Sequence, residues 1–317
     1  MEFDLIARYF TRPAPHAVLG VGDDCALLAP TPGMELAVSS DMLLAGTHFG
    51  DRDGPAGIGH KSLAVNLSDL AAMGATPRWA TLSIALPAVD EAWLGAFTRG
   101  FFRLADEHGI ELVGGDTTRG PLVLALTVIG EVPPGQALRR RGAQPGDDVW
   151  VSGTIGSAAL ALAYRQGRLS MAQIDAARVL PALYLPQPRV ALGIALRGLA
   201  TAAIDVSDGL LADLGHILDA SGVGADIAFA RIPVAEAARQ YLTDPVARDC
   251  VLAGGDDYEL CFTAPVARRE QIRAAGAAAG VAVTRIGVIA AAPGLVVRDA
   301  TGAPMAISRT GYDHFPA

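Results

Sequence analysis

Aspartates recur where short apolar runs give way to glycine or serine, in GVGDDC, AVSSDM, LVGGDTT, AAIDVSDG and LAGGDDYEL. If each run is a strand, its carboxylate sits at the strand end and the set converges on one edge. Hard oxygen donors with few His and no Cys partners suit Mg²⁺, which keeps several waters and bridges a small number of carboxylates to phosphate oxygens. Aspartate beside glycine is also ordinary turn chemistry, which explains any one of these sites equally well. Five together favour a metal. Gly114-Gly115-Asp116-Thr117-Thr118 and Gly254-Gly255-Asp256-Asp257 add backbone amides that a phosphate can approach, because glycine has no Cβ to block it.

Two familiar nucleotide signatures fail. Gly54-Pro-Ala-Gly-Ile-Gly59 is followed by His60 before Lys61-Ser62, which displaces the P-loop lysine, and Gly20-Val-Gly22 lacks the third glycine of a dinucleotide fingerprint at Cys25. No G-x-S-x-G elbow or Ser-His-Asp order supports covalent hydrolysis. His48, His60, His216 and His314 show no mutual metal-ligand spacing and read as packing or hydrogen-bonding residues.

These residues need elements to hold them. A helix is expected over Gly59 to Met73, stopped by Gly74 and Pro77, and another from an Asp90 cap to His108 before Gly109. On the first, Ser62, Asn66, Asp69 and Met73 share one face and Leu63, Leu67 and Leu70 another. A solvated polar face is the ordinary reading. With almost no charge on the helix besides Lys61, however, Asp69 is expected to face a ligand or metal. Strands are expected at Glu35 to Ser40, Thr81 to Leu86, Leu122 to Ile129, Val149 to Ser152, Ala202 to Val206, Ala225 to Ala230, Leu260 to Thr263 and Val281 to Val288. The chain is therefore α/β or α+β.

At 317 residues the length corresponds to about two domains. The segment EVPPGQALRRRGAQPG, rich in Pro and Gly, gives the boundary near Gln136, hence domains 1–136 and 137–317. Its Arg139, Arg140 and Arg141 form a solvated run by default, with phosphate neutralisation as the functional alternative. An echo between Asn66-Leu-Ser-Asp69 and Asp205-Val-Ser-Asp208 would make the halves pseudo-equivalent. The net formal charge of −8 argues against a nucleic-acid partner. Apolar runs stay short of the ~18 residues a spanning helix needs, so no membrane is expected. The acidic N-terminus shows no secretory signal, and the expected address is cytoplasmic. Cys25, Cys250 and Cys261 form no C-x-x-C pair and read as core residues.

Taken together, GVGDDCALL, SSDMLLAGTHF, GHKSLAVNLSDLAAMGATP, GGDTTRG, RRGAQPGDDVWVSGTIG, IDVSDGLLADLGHI, GGDDYELCFT and GYDHF resemble the thiamine-monophosphate kinase family, in family order from residue 20 to 315. The resemblance implies a two-domain fold of the aminoimidazole ribonucleotide synthetase type: an N-terminal mixed sheet with helices that binds ATP and Mg²⁺ and dimerises, and a C-terminal α/β domain that completes the site. It implies ATP-dependent phosphorylation of thiamine monophosphate to thiamine diphosphate by direct in-line transfer, several Mg²⁺ ions, a homodimer, and no protein side chain as catalyst. Carried over by position, Asp24, Ser39, Ser40, Asp41, Asp69, Asp116, Asp205 and Asp208 resemble the metal shell. Gly115, Asp116, Arg140 and Ser207 resemble the ATP contacts, and His48, Glu259 and Tyr312 the thiamine phosphate contacts. Ser39-Ser40 stands where many members have Thr-Thr or Ser-Thr. Phe101 and Phe102 are both candidates for the aromatic residue against the nucleotide.

Two other readings remain at this point. A sibling ATP-dependent synthetase would phosphorylate an amide or formyl oxygen. A non-catalytic nucleotide and Mg²⁺ sensor would keep Asp24 and Asp116 and lose the acceptor-side groups.

Overall fold

The computed structural model describes residues 2–50 and 53–312, and the chain divides into two compact units. The first comprises Met1–Leu70 and Ala75–Gly135, the second Ala71–Gly74 and Gln136–Ala317. Asp313, His314 and Phe315 of the GYDHF motif lie outside the described residues. Among the described residues no helix is long and apolar enough to cross a membrane.

In chain order the first unit carries α1 (Glu2–Leu5), β1 (Ala17–Leu19), β2 (Leu27–Leu28), β3 (Glu35–Leu44), α2 (Pro55–Ala72), β4 (Thr76–Leu86), α3 (Glu91–His108), β5 (Glu111–Arg119) and β6 (Val123–Val132). Four strands form a mixed sheet in the order β3-β6-β4-β5, with only β4 and β5 parallel. Helix α3 is bounded as its sequence requires. The Asp90 carboxylate accepts from the amides of Ala92 and Trp93 at 2.9 and 3.0 Å, and Gly109 closes the other end at φ 62°. Its buried stripe is Leu94, Phe97, Phe101 and Leu104. Phe101 is thus core, whereas Phe102 is half-buried beneath the Arg12 guanidinium, 4.5 Å from the ring centroid.

Helices α2 and α3 touch backbone to backbone. A Cβ at Gly59 would stand 2.1 Å from the Phe97 carbonyl oxygen, and one at Gly100 would stand 1.9 Å from that of Ala56. Gly59 of GPAGIGH therefore serves helix packing. Helix α2 is buried almost all round: Ser62, Asn66 and Ser68 are inaccessible, and Lys61 and His60 nearly so. The polar stripe expected to meet solvent or a ligand is mostly internal, with Asn66 Nδ2 donating to the Ser62 carbonyl at 3.0 Å.

The expectation that the aspartates end their strands holds for Asp205 and fails for two others. Asp41 lies within β3 and Asp116 within β5. Strand β3 does not stop at Ser40 because β6 pairs with it over its whole length, from Glu35 opposite Val132 to Leu44 opposite Val123.

The second unit carries β7 (Asp148–Ser152), α4 (Ser157–Arg165), α5 (Gln173–Tyr184), α6 (Val190–Ala195), β8 (Ala202–Asp205), α7 (Leu210–Ser221), β9 (Gly224–Ala228), α8 (Pro245–Ala253), β10 (Leu260–Ala264), α9 (Arg269–Ala278), β11 (Val283–Ala290) and β12 (Gly294–Arg298). Its six-stranded sheet runs β12-β9-β11-β7-β10-β8, antiparallel apart from β12 beside β9. Val149, Val151, Ile204, Leu210, Leu214 and Ile286 belong to its core. Cys250 and Cys261 are buried as expected, but Cys25 of the first unit is exposed. The echo between the halves does not correspond in structure. Ser68 and Asp69 sit inside α2, whereas Ser207 and Asp208 precede α7.

Strand β7 begins at a buried charge. The Asp148 carboxylate receives Arg269 Nε at 2.6 Å, Arg269 Nη2 at 2.7 Å and Arg285 Nη1 at 3.2 Å. Burial pushes its pKa up, but the two guanidiniums outweigh this and hold it below the usual carboxylate value. A folded-state pKa below the unfolded one stabilises the fold above about pH 4 and is lost as pH falls through the folded value. Asp148→Asn is expected to cost about 3 kcal/mol at pH 7 and to show a shallower fall in Tm between pH 6 and pH 3 than the parent. Melting curves at both pH values check this, and parallel slopes would remove Asp148 from the acid response.

Candidate active site

In the first unit, β3 and α2 bring three of the expected residues to one place. Alternation along β3 puts Ser39 and Asp41 on the side covered by α2 and Ser40 on the other. The Ser39 hydroxyl donates to Asp69 Oδ2 at 2.5 Å, and the Asp41 amide donates to Asn66 Oδ1 at 3.1 Å. The Ser40 hydroxyl instead donates to the Leu126 carbonyl at 2.7 Å. Register separates Asp116 from Asp41 in the same way. Asp41, Leu126, Leu82 and Gly115 form one row across the sheet, and Met42, Ala125, Ser83 and Asp116 form the next. Asp24 lies in the exposed turn between β1 and β2, where its amide donates to Asp23 Oδ1 at 2.9 Å.

Gly115 has a structural reason to be glycine. At φ 147° a Cβ there would lie 1.8 Å from the Leu82 carbonyl oxygen of the neighbouring strand. The missing Cβ at this residue makes room for β4. His48 follows β3, and its Nδ1 accepts the Leu44 amide at 3.0 Å. An accepting nitrogen carries no proton, so the ring is the Nε2–H tautomer.

In the second unit the loops after β8 and before β10 are laced together. Asp256 donates its amide to the Ser207 carbonyl at 2.9 Å, Tyr258 to Val206 at 2.8 Å, and Val206 to Glu259 at 2.7 Å. The C-terminal segment joins them, since the Tyr312 amide donates to the Asp208 carbonyl at 2.9 Å. Asp256 and Tyr258 hold φ values of 70° and 51°, unusual for residues with a side chain. Asp205 is buried at the end of β8, and Arg140 is exposed, as the default reading of the arginine run had it.

Glu259 is 5% exposed, and its two oxygens are engaged inside the unit. Arg189 grips it through Nε at 2.6 Å and Nη2 at 2.5 Å, and the Ser152 hydroxyl donates to Oε2 at 2.5 Å. Sequence reasoning missed Arg189, which lies outside every motif, and two buried carboxylates. Asp257 Oδ2 accepts the Gly156 amide at 2.7 Å, and burial, with Glu259 and Asp256 nearby, pushes its pKa well up. Asp213 accepts the amides of Ser207, Asp208 and Gly209. Burial and the Asp208 charge push it up to about 7 against the pull of those three donors. Its signal was available: an acidic residue in the first turn of the helix that follows SDG.

Residues 22–132 match the AIR synthase related protein family, N-terminal domain, and residues 144–300 match its C-terminal domain. The thiamine-monophosphate kinase of Salmonella typhimurium is 48% identical over 320 residues, 99% of this chain and 98% of the relative. This chain belongs to the thiamine-monophosphate kinase family. Among solved thiamine-monophosphate kinases, that of Stenotrophomonas maltophilia K279a is 50% identical at TM-score 0.85, covering 93% of this chain and 94% of that one. AaThiL complexed with AMPPCP and TMP is 27% identical at TM-score 0.79, covering 90% and 89%.

For a thiamine-monophosphate kinase family member the implied metal is Mg²⁺. Among the described residues no three His, Cys, Asp or Glu side chains are grouped to hold an ion. Mg²⁺ uses one or two carboxylates together with substrate phosphates and water, so an all-protein cage is not its usual site. Ser39, Asp41 and Asp69, oxygen donors on one side of β3, fit that chemistry.

Proposed function

We propose that this protein transfers the γ-phosphoryl group of ATP to thiamine monophosphate, giving thiamine diphosphate and ADP. The observation that carries the reading is 48% identity along 99% of the chain to a thiamine-monophosphate kinase. A phosphate oxygen of the acceptor attacks the γ-phosphorus in line, the bond to the β-phosphate oxygen breaks, and ADP leaves with that electron pair. An acceptor already ionised at neutral pH requires no strong base, so the task is bringing two polyanions together. Bound Mg²⁺ supplies charge neutralisation and orientation of the phosphate oxygens. In this reading Asp24, Ser39, Ser40, Asp41, Asp69, Asp116, Asp205 and Asp208 hold the ions. Gly115, Asp116, Arg140 and Ser207 hold the nucleotide. His48, through Nε2–H, and Tyr312 meet the thiamine phosphate, and Glu259 contributes through the Arg189 pair. The reaction belongs in the cytoplasm, where ATP is made. The test is ADP release by the purified protein with ATP, Mg²⁺ and thiamine monophosphate, with thiamine diphosphate identified by mass. No ADP release with that acceptor overturns the reading.

The same reading makes the protein a homodimer through its first unit. Support comes from β3, an edge strand whose outer row Leu36, Val38, Met42 and Leu44 is exposed and apolar. Light scattering at micromolar concentration is expected to give a dimer, and Val38→Asp combined with Met42→Lys a monomer. A monomeric parent would exclude this assembly.

A further inference from the structure

The turn Ser207-Asp208-Gly209 belongs to no regular element, since β8 ends at Asp205 and α7 begins at Leu210. A free Ser-Asp-Gly turn samples many conformations, and ordering each residue costs roughly 1–2 kcal/mol of backbone entropy. Here three consecutive amides converge on one atom. The N–H groups of Ser207, Asp208 and Gly209 all donate to Asp213 Oδ2, at 3.0, 3.1 and 3.0 Å. The Asp213 amide donates back to the Gly209 carbonyl at 3.0 Å, closing the ring in both directions.

The outer side of the turn is fixed as well. Ser207 and Asp208 carbonyls accept the Asp256 and Tyr312 amides, each at 2.9 Å. Gly209, at φ 128°, sits so close to α8 that a Cβ would lie 2.7 Å from the Ala253 carbonyl carbon. The backbone of the turn is thus held on both sides, and the Cα–Cβ directions of Ser207 and Asp208 follow from it. Asp213 itself is 2% exposed, in the interior of its unit.

From this geometry we propose that Asp213 is a positioning residue for phosphoryl transfer, whose Oδ2 holds three successive amides and thereby aims the Ser207 hydroxyl and the Asp208 carboxylate at the nucleotide and its metal. The inference rests on the roles given above to Ser207 and Asp208. An oxygen in the right place does this work, and a neutral amide oxygen accepts the same three donors. A carboxylate that served only the start of α7 would leave turnover and metal affinity untouched when removed.

Asp213→Ala is expected to lose about tenfold or more in kcat while KM for thiamine monophosphate stays within about threefold, as partners behind metal ligands typically do. In the presence of AMPPCP it should bind Mn²⁺, followed by electron paramagnetic resonance of the free ion, about tenfold more weakly. Asp213→Asn should restore both to within about threefold of the parent. In an Asp208→Ala background, adding Asp213→Ala should weaken Mn²⁺ binding by less than about twofold, because both changes act through one carboxylate.

An Asn variant as poor as the Ala variant, losses that multiply in the double variant, or a parent-like Asp213→Ala each overturn the proposal. If Asp213→Ala does not fold, the Asn variant decides by the same turnover criterion. Asp208→Ala separates the two levels. If it keeps full turnover and Mn²⁺ affinity, the role of Asp208 fails and the inference with it. If it is inactive while Asp213→Ala is not, the inference alone fails.

Discussion

Asp69→Asn and Asp41→Asn are each expected to fold like the parent and to lose at least about 100-fold in turnover, most severely at limiting Mg²⁺. Folding should survive because the local hydrogen bonds do. An amide oxygen at 69 still accepts the Ser39 hydroxyl, and Asn66 holds the backbone amide of residue 41, which the substitution leaves in place. What disappears is one negative charge beside hydroxyl and amide oxygens, next to α2, where Asp69 and Lys61 are the only carboxylate and the only lysine or arginine. With one carboxylate charge lost, cation affinity falls and the repulsion between the two phosphate groups is left uncompensated. The measurement is turnover against Mg²⁺ concentration, with melting curves to show intact folding. Near-parental turnover of either variant at low Mg²⁺ would remove that residue from the metal-holding set.

Thiamine monophosphate should be phosphorylated and free thiamine should not, with a difference of about a thousandfold or more in kcat/KM. Thiamine offers a primary alcohol, which must lose a proton to attack. The two carboxylates with the most raised pKa values are poorly placed to take it. Asp213, pushed up to about 7, has Oδ2 occupied by three backbone amides, and Asp257 is buried with Oδ2 on the Gly156 amide. An alcohol also forgoes the phosphate oxygens that bound cations orient. ADP release with each acceptor at saturating ATP and Mg²⁺, with mass identification of the product, decides the matter. Comparable rates on thiamine would point to a site that activates hydroxyl groups, contrary to the mechanism above.

Features governed by neighbours in the chain were legible in the sequence. Asp90 and Gly109 mark the ends of α3 because a cap needs only amides two and three residues away and a left-handed residue at the far end. Eight strands were located because their apolar runs are local, while β1, β2, β12 and β5, which carries Asp116, were not; the aspartates were singled out because their neighbours are glycine and serine. The motif order from GVGDDC to GGDDYEL was enough to indicate the family, since each block keeps its residue types in a short span. None of this depends on which segments meet in space.

Tertiary structure decided what those residues face. Asp41 became a mid-strand residue because β6 pairs with β3 along ten positions, and pairing length is a property of two strands. Ser39 and Ser40, adjacent in sequence, were sent to opposite sides of the sheet by that same pleat. Gly115 and Gly59, read as openings for phosphate or as failed nucleotide loops, are glycine because the Leu82 and Phe97 carbonyls fill the space a Cβ would need. Glu259 stands in the GGDDYEL motif, but its partner Arg189 lies seventy positions away in the chain. The types of residue that can do chemistry are a local choice, read along one chain; their direction, burial and partners are set by distant backbone that only folding brings within 3 Å of them.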